Sequence, residues 1–369
     1  MQEARAGFEA ARSSPMRFAY VALPARVLFG ANRLSDVADE VRRLGGTRTF
    51  VVTTPGHRDL GERIASLLGN AAAAVHPHAV MHTPVEVTER ALAALQASRA
   101  DCIVAAGGGS TIGLAKALAL RTDLPQVAIP TTYAGSEVTT MVGETSGGVK
   151  RTQRSPKVLP EVVIYDVELT LTLSAELSAT SGMNAVAHAV EALYAPDAHP
   201  IAGLIAEEAI GALARSLPRI ASDPLDIDAR SQAQYGAWLC GTSMAMTMGL
   251  HHKICHVLGG TFDLPHAQTH AVMLPHVVAY NFAAAPEAMR RIARALQAPD
   301  AVSGMVALAA SLPIARSLEA LGMPASGIGR AVDLATRDAY PNPRPIERTA
   351  IASMIEGAYR GSRPAPSGG

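Results

Sequence analysis

The hydrophobic pattern of this 369-residue chain changes near Asp166. Before that residue, short apolar or β-branched runs such as 49–53 and 102–106 alternate with longer amphipathic stretches. After it, long segments rich in Ala, Leu and Met follow one another with almost no strand pattern. Strands that alternate with helices form parallel sheets through right-handed crossovers. The pattern therefore predicts an N-terminal α/β domain at 16–166 and an all-helical C-terminal domain at 167–360.

Both ends of the chain are expected to lie outside these domains. Residues 1–15 are rich in Ala, Arg and Ser and lack the apolar core of a secretory signal, so we expect a disordered extension. Residues 361–369 are rich in Pro, Ser and Gly, a composition typical of disordered tails. No stretch reaches the ~18 consecutive apolar residues that a transmembrane helix needs.

Charge and cysteine content exclude several classes of protein. The 32 Lys and Arg residues balance the 32 Asp and Glu residues, which argues against nucleic acid or an acidic membrane as a partner. The three cysteines include no CxxC pair, so neither a disulfide framework nor a thiolate zinc site is expected. Such sparse use of cysteine is typical of a reduced, cytoplasmic compartment.

A glycine turn joins the predicted strand 102–106 to a predicted helix. It consists of Gly107, Gly108 and Gly109, followed by Ser110. Glycines let the backbone approach a ligand closely, and the N-terminus of a helix offers free N–H groups and a partial positive charge. We expect Ser110 to cap this helix. The turn lacks the GxGxxG fingerprint, so a plain tight turn is the alternative, but its place between a strand and a helix favours a phosphate site.

Hydroxyl-bearing residues follow two other predicted strands. The loop after strand 126–130 contains Thr131, Thr132, Tyr133 and Ser136. An earlier strand ends at Thr54 and Pro55. Because the carboxyl ends of parallel strands meet at one edge of a sheet, these residues could contact a bound nucleotide or its reaction partner. For the loop after 126–130, a plain turn rich in Ser and Thr is an equally good interpretation.

Histidines are concentrated in the helical half. Asn184 and His188 are four residues apart, as are His252 and His256, so each pair shares one helix face. His266 follows within a short distance. Such spacing suits metal ligands and equally suits a proton-transfer site. A single histidine is usually an ordinary core or surface residue, but a cluster on helices rich in Ala and Met needs partners and favours a functional site.

Several stretches, in one order, resemble the iron-containing alcohol dehydrogenase-like superfamily and, within it, the maleylacetate reductases. These stretches are 27–30, 106–116, 130–137, 159–166, 181–188, 251–256 and 263–266. The resemblance implies a nucleotide-binding α/β domain and an all-α C-terminal domain, the fold also called dehydroquinate synthase-like. It implies NADH or NADPH as the cofactor, a small dicarboxylate substrate and a homodimer. An acidic residue at the position of Thr54 would repel NADPH, so we expect weak discrimination between the two cofactors.

Two positions depart from the metal-dependent branch of this superfamily. In that branch one Asp and three His hold iron or zinc. His188, His252 and His266 match the three His positions, but Asn184 stands where the Asp is expected, and Gly113 replaces a second Asp. A neutral amide removes the one anionic ligand and should weaken the binding of a divalent metal. Both departures resemble maleylacetate reductases and imply that no metal is needed.

The resemblance implies that the double bond of maleylacetate is reduced to give 3-oxoadipate. His251 and Lys253 flank His252 and, together with His256, predict a cationic pocket for a dicarboxylate. We expect His256 or His252 to deliver the proton, Lys253 and His251 to bind carboxylates, and Tyr133 to be a lesser candidate. One alternative is a metal-dependent alcohol or aldehyde oxidoreductase that keeps Asn184 as a neutral ligand. A non-enzymatic nucleotide-binding or metal-storage protein is less consistent with so many titratable groups.

Overall fold

The N-terminal half forms one parallel sheet in the computed structural model, which describes residues 26–147, 149–243 and 247–366. The predicted extension 1–15 and the end of the predicted tail, 367–369, lie outside the described residues. The sheet contains β1 (Arg26–Gly30), β2 (Thr49–Val52), β3 (Ala72–His76), β4 (Cys102–Gly107), β5 (Gln126–Pro130) and β8 (Val162–Asp166). Their order is β1-β8-β5-β4-β2-β3.

Helices cover both faces of this sheet. They are α1 (Val37–Arg43), α2 (Arg58–Leu68), α3 (Val85–Ser98) and α4 (Gly109–Thr122). Alternate strand residues face opposite sides, so Phe50 and Val52 pack with α3 and α4, whereas Val51 packs with α1 and α2. Burial on both faces explains why the strands are continuous apolar runs.

A two-stranded hairpin was not predicted. Strands β6 (Met141–Ser146) and β7 (Val149–Arg154) pair antiparallel beside α4. The residues of β7 are mostly charged or polar, so the hydrophobic alternation that would identify a strand is missing. The hairpin is anchored by Val142, which packs with Ala117 of α4 and with Val158.

Every regular element described after β8 is a helix. These helices are α5 (Ala175–Tyr194), α6 (Pro200–Ser222), α7 (Ile227–Ser243), α8 (Leu250–Phe262), α9 (His266–Asn281), α10 (Pro286–Ala295), α11 (Ala301–Ala310), α12 (Ile328–Thr336) and α13 (Arg348–Arg360), with short 3-10 turns between some of them. Helix α9 is shared by two hydrophobic cores, with Leu274 in one and Met273 in the other. Within the described part of the chain, no helix is both long enough and apolar enough to cross a membrane.

Candidate active site

The glycine turn lies at the carboxyl edge of the sheet, where Gly107 of β4 pairs with Pro130 of β5. Gly107 has a φ of 155°, and a Cβ there would lie 2.4 Å from Thr111 Oγ1. A Cβ on Gly108 would lie 2.9 Å from Thr132 Cγ2. Glycine is therefore required at both positions. Gly109 is exposed, so the first turn of α4 is open to a ligand.

The helix after the turn begins differently from the prediction. Helix α4 starts at Gly109 with Gly108 as its N-cap, and no side chain caps it. The expectation that Ser110 caps this helix is therefore wrong, because Ser110 lies inside the first turn. With no side chain filling the cap position, the space above the N-terminus suits a pyrophosphate, which fits the nucleotide that the turn predicts.

A buried lysine holds the loop that follows β5. Lys116 Nζ donates hydrogen bonds to the carbonyl oxygens of Ser136 and Thr139, both at 2.7 Å, and to Thr139 Oγ1 at 2.9 Å. Burial lowers the pKa of Lys116 to about 7, although nearby Glu137 acts to raise it. Thr131 N donates to Gly107 O at 3.1 Å, which ties the start of the loop to the glycine turn. The predicted hydroxyl loop and glycine turn are thus neighbours.

Tyr133, the lesser candidate for proton delivery, is tied to the helical core. Its ring is fully buried among apolar residues of the helical half, and its hydroxyl accepts a hydrogen bond from Arg230 Nη1 at 3.3 Å. Burial raises the pKa of Tyr133, while Arg230 acts against that shift. These contacts anchor the loop to α7. Among the described residues, Tyr133 makes no contact that supports a role in proton transfer. Thr54 in turn makes a 2.9 Å contact with His57 Nδ1.

The predicted histidines come together where α5, α8 and α9 meet. The ring centroids of His188 and His252 are 4.2 Å apart, and those of His256 and His266 are 5.9 Å apart. His270 lies between the two pairs, with its ring 4.9 Å from that of His252 and 4.4 Å from that of His266. His270 was not among the predicted site residues, although it follows His266 by one helical turn on α9.

Glu191 is a second residue that the sequence analysis did not assign to the site. It lies on α5 one turn after His188 and is almost completely buried. Its Oε2 is 2.5 Å from His252 Nδ1. Burial acts to raise the pKa of Glu191, but His252 and the neighbouring N–H donors outweigh it and hold that pKa below its usual value. The spacing from His188 was the only available signal, because the partner lies on another helix.

Burial disfavours the charged form of three imidazoles in the cluster, those of His188, His251 and His270. Burial lowers the pKa of His188 and of His270 well below the usual range, and the surrounding histidines lower both further. Burial likewise lowers the pKa of His251 to about 3. His251 Nε2 instead lies 3.0 Å from His270 Nδ1. The expected positive charge at His251 is therefore wrong, because the side chain points into the dry interior.

Lys253 also differs from the expected cationic pocket. Its Nζ is 3.4 Å from the carboxylate of Asp338, on a part-exposed face of α8. Successive residues of a helix point about 100° apart. His251 and His252 both pack against His270, whereas Lys253 points away from them toward Asp338. The cluster therefore has a buried side, formed by His251, His252 and His270, and an exposed side, formed by His256 and His266.

The donor set fits a divalent metal poorly. Among the described residues, the one group of three His, Cys, Asp or Glu ligand atoms that lies within 4.8 Å is His251, Cys255 and His270, which does not include His188, His252 and His266 together. His188 Nε2 lies 3.3 Å from His252 Nε2. Asn184 Oδ1 is buried without a hydrogen-bond partner and is a neutral donor. The position expected to supply the one anionic ligand therefore offers a neutral amide oxygen instead.

Two family models match almost the whole described chain. The model described as "Iron-containing alcohol dehydrogenase" matches residues 24–167. The model described as "Fe-containing alcohol dehydrogenase family, C-terminal" matches residues 178–359. Together they cover both domains. Residues 168–177, just after β8, lie between the two matches.

Individual relatives give a narrower comparison. The chain is 52% identical to a maleylacetate reductase of Rhizobium sp. (strain MTP-10005), over 94% of this chain and 99% of the relative. It is 51% identical to a maleylacetate reductase of Sphingobium indicum, over 95% and 99%. The crystal structure of a maleylacetate reductase from Agrobacterium tumefaciens superimposes with a TM-score of 0.92 at 52% identity, covering 95% of this chain and 100% of that chain. A 1,3-propanediol oxidoreductase is more distant, with a TM-score of 0.87 at 29% identity, covering 93% and 100%.

Proposed function

The chain belongs to the iron-containing alcohol dehydrogenase family, and we propose that its histidine cluster is the active site of a maleylacetate reductase. The observation that carries this function is the 52% identity to a maleylacetate reductase over 94% of the chain. The reaction is an NAD(P)H-dependent reduction: a hydride and a proton add across the carbon–carbon double bond of maleylacetate, and the product is 3-oxoadipate.

The cofactor site combines the glycine turn with the neighbouring strand ends. Gly107, Gly108, Gly109 and Ser110 would hold the pyrophosphate, and Thr131, Thr132, Ser136, Thr54 and Pro55 would line the rest of the nucleotide. When bound, NADH or NADPH supplies the hydride and leaves as the oxidised nicotinamide. Thr54 at the end of β2 offers no carboxylate to repel a 2′-phosphate. We therefore expect the enzyme to accept both cofactors.

The imidazole cluster supplies the proton and stabilises the transition state. Hydride addition to an alkene conjugated with a carbonyl develops negative charge on the carbonyl oxygen, and N–H donors in a dry cleft stabilise that charge. His252 or His256, with its ring doubly protonated, then delivers a proton to the adjacent carbon and returns to the neutral imidazole. His188 and His266 complete the cluster around them.

Substrate binding is divided differently from the sequence expectation. Lys253 is kept as the candidate for one substrate carboxylate, because its ammonium is part exposed and its partner Asp338 is mostly exposed. His251 is fully buried and contacts His270, so we assign it a supporting role rather than a carboxylate. Of the two cations that the sequence predicted beside His252, only Lys253 is therefore kept as a carboxylate-binding candidate.

We propose that the reaction proceeds without a resident metal, and the family supplies the competing prediction of iron. The replacement of Asp by Asn184 and the neutral donor set support the metal-free reaction. Dialysis of the enzyme against EDTA, followed by an activity assay, distinguishes the metal-free reaction from the metal-dependent one. Unchanged maleylacetate reduction supports the proposal, whereas loss of activity that Fe(II) or Zn(II) restores would favour a metal-dependent alcohol dehydrogenase.

The function itself is tested by following the absorbance of NADH or NADPH with maleylacetate present. We expect steady oxidation with both cofactors and the appearance of 3-oxoadipate. No oxidation with maleylacetate, or oxidation only with simple aldehydes, would overturn the function. A strong preference for one cofactor would contradict the role assigned to Thr54. We also propose that the enzyme works in the cytoplasm as a homodimer, which size-exclusion chromatography with light scattering would test.

A further inference from the structure

We propose that Glu191 is a positioning residue, which fixes the ring orientation and the hydrogen-bond polarity of His252. The proposal rests on the proposed function, because it concerns the histidine expected to transfer the proton. Glu191 lines a small cavity with His188 and His252, but its described hydrogen bonds go to His252 and to the backbone at the start of α8. It acts through His252.

Three donors converge on the Glu191 carboxylate. Its Oε2 accepts from Gly249 N at 3.0 Å and lies 2.5 Å from His252 Nδ1. Its Oε1 accepts from His251 N at 2.7 Å. The N–H groups of Gly249 and His251 belong to the start of α8, where a helix leaves its first donors without internal partners. A carboxylate from α5 therefore serves as the cap of α8, which places the ring of His252 at a defined distance from α5.

The direction of the hydrogen bond follows from the chemistry of a carboxylate. An ionised carboxylate accepts hydrogen bonds and donates none. His252 must therefore carry a proton on Nδ1, and its Nε2 is the atom that can hold the second, transferable proton. Since Nε2 lies 3.3 Å from His188 Nε2, it already faces the interior of the cluster. A chain from Glu191 through His252 to His188 sets which nitrogen of His252 faces the reaction.

A second observation separates this role from capping alone. Two backbone donors would be enough to cap a helix start, and they use one oxygen each. The third contact, at 2.5 Å, is the shortest of the three and goes to a side chain of the cluster. Outer partners of functional histidines typically fix the ring and its tautomer, and their loss costs about 10–100-fold in activity.

Glu191→Gln tests this role with little change of volume. Its amide oxygen can still accept from one backbone N–H, but its NH₂ group donates toward His252 Nδ1 and favours the opposite tautomer. We expect kcat with maleylacetate to fall about 10–100-fold, with the KM for NADH unchanged. Glu191→Asp keeps the charge and should recover part of the loss. Asp300→Asn is the control, because Asp300 caps α11 through Ser303 N at 2.8 Å and is not part of the site.

A spectroscopic measurement tests the same claim without turnover. The ¹⁵N spectrum of histidine-labelled wild type, with the His252 signal assigned by its loss in His252→Asn, should show a protonated Nδ1. A bare Nδ1 in wild type would overturn the proposal, whether or not the Gln variant folds. A Glu191→Gln enzyme that keeps its kcat while its melting temperature falls, as in the control, would reduce Glu191 to a helix cap. Failure of wild type to oxidise NADH with maleylacetate would instead overturn the function, and the Nδ1 signal would still decide the role of Glu191.

Discussion

The two halves of the candidate site are built from different parts of the chain. In the α/β domain, the proposed cofactor seat is made of backbone at the edge of a sheet, and Gly109 at its centre is exposed. In the helical domain, the proposed catalytic cluster is made of side chains from three helices. His251, His252 and His270 there are almost completely buried, whereas His256 and His266 are exposed.

This difference matches the two tasks. A cofactor must bind and leave in every cycle, which requires an open seat with strict backbone geometry. Proton transfer and charge stabilisation gain strength in a dry environment, where electrostatic interactions are less screened. A substitution in the glycine turn should therefore change cofactor binding, and one in the cluster should change the chemical step. The predictions below test this division.

The largest effect is expected from His252→Asn. Loss of the imidazole removes a candidate proton donor, so kcat with maleylacetate should fall about 10²–10⁴-fold, while the dissociation constant for NADH stays the same. Stopped-flow kinetics and fluorescence titration of NADH would measure the two quantities. His199→Asn is the matched control, because His199 caps α6 and Asn is also a good cap. Weakened NADH binding in His252→Asn would contradict the claim that the histidine cluster affects the chemical step and not cofactor binding.

A smaller effect, on cofactor binding rather than on the chemical step, is expected from Gly108→Ala. The added Cβ would meet Thr132 Cγ2 at 2.9 Å, and such overpacking costs about 1–3 kcal/mol. The KM for NADH should rise about tenfold, with kcat at saturating NADH nearly unchanged. Gly329→Ala is a suitable control, because a Cβ there has nothing within 4 Å. A fall in kcat without a change in KM would contradict an open cofactor seat at this turn.

The difference between the two domains also predicts that the helical domain loses stability faster than the α/β domain as the pH falls. Among the described residues, the helical domain has four histidines with a lowered pKa, and the α/β domain has one. For example, burial lowers the pKa of His276 from 6.5 to about 4. The unfolded state binds protons first as pH falls below 6.5, so each such group reduces stability by up to about 1.4 kcal/mol per pH unit between the two values.

Hydrogen exchange between pH 7 and pH 5 would measure this effect domain by domain. Protection should fall more in the helical domain than in the α/β domain as the pH falls, and His276→Asn should reduce the difference. Equal loss of protection in both domains would show that the buried imidazoles do not control acid stability.

The smallest effect is expected at Ser110. Because Gly108 is the N-cap of α4, Ser110→Ala should leave the melting temperature almost unchanged. Ser174→Ala provides the contrast, since Ser174 caps α5 by accepting from Leu177 N at 3.1 Å and its loss should cost about 1 kcal/mol. Thermal unfolding followed by circular dichroism would compare the two variants. An equal fall in melting temperature in the two variants would show that Ser110 does cap α4.

The fold class could be predicted from the sequence, and the comparisons confirm it. The apolar runs of the parallel strands and the Ala-rich helices carry strong periodic signals. The spacing between His252 and His256 indicated a shared helix face, and the structure places both rings beside those of His188 and His266. The hairpin at 141–154 was missed, since its polar strands lack such a signal.

The charge of the site could not be predicted in the same way. His251 and Lys253 are neighbours in sequence, but helix geometry sends one into the core and the other to Asp338. Whether a histidine is protonated depends on how deeply its helix packs, which spacing does not report. The contact of Glu191 with His252 was hidden for a similar reason, because it joins residues 61 positions apart.

The central claim is that the imidazole cluster carries out the reduction without a resident metal. It is tested most directly by measuring maleylacetate-dependent NADH oxidation and bound metal in the same preparations, across a series treated with EDTA and then reconstituted with iron or zinc. The account predicts a full rate in preparations whose metal content is far below one ion per chain, and no rise on reconstitution. A rate proportional to bound iron or zinc would contradict it.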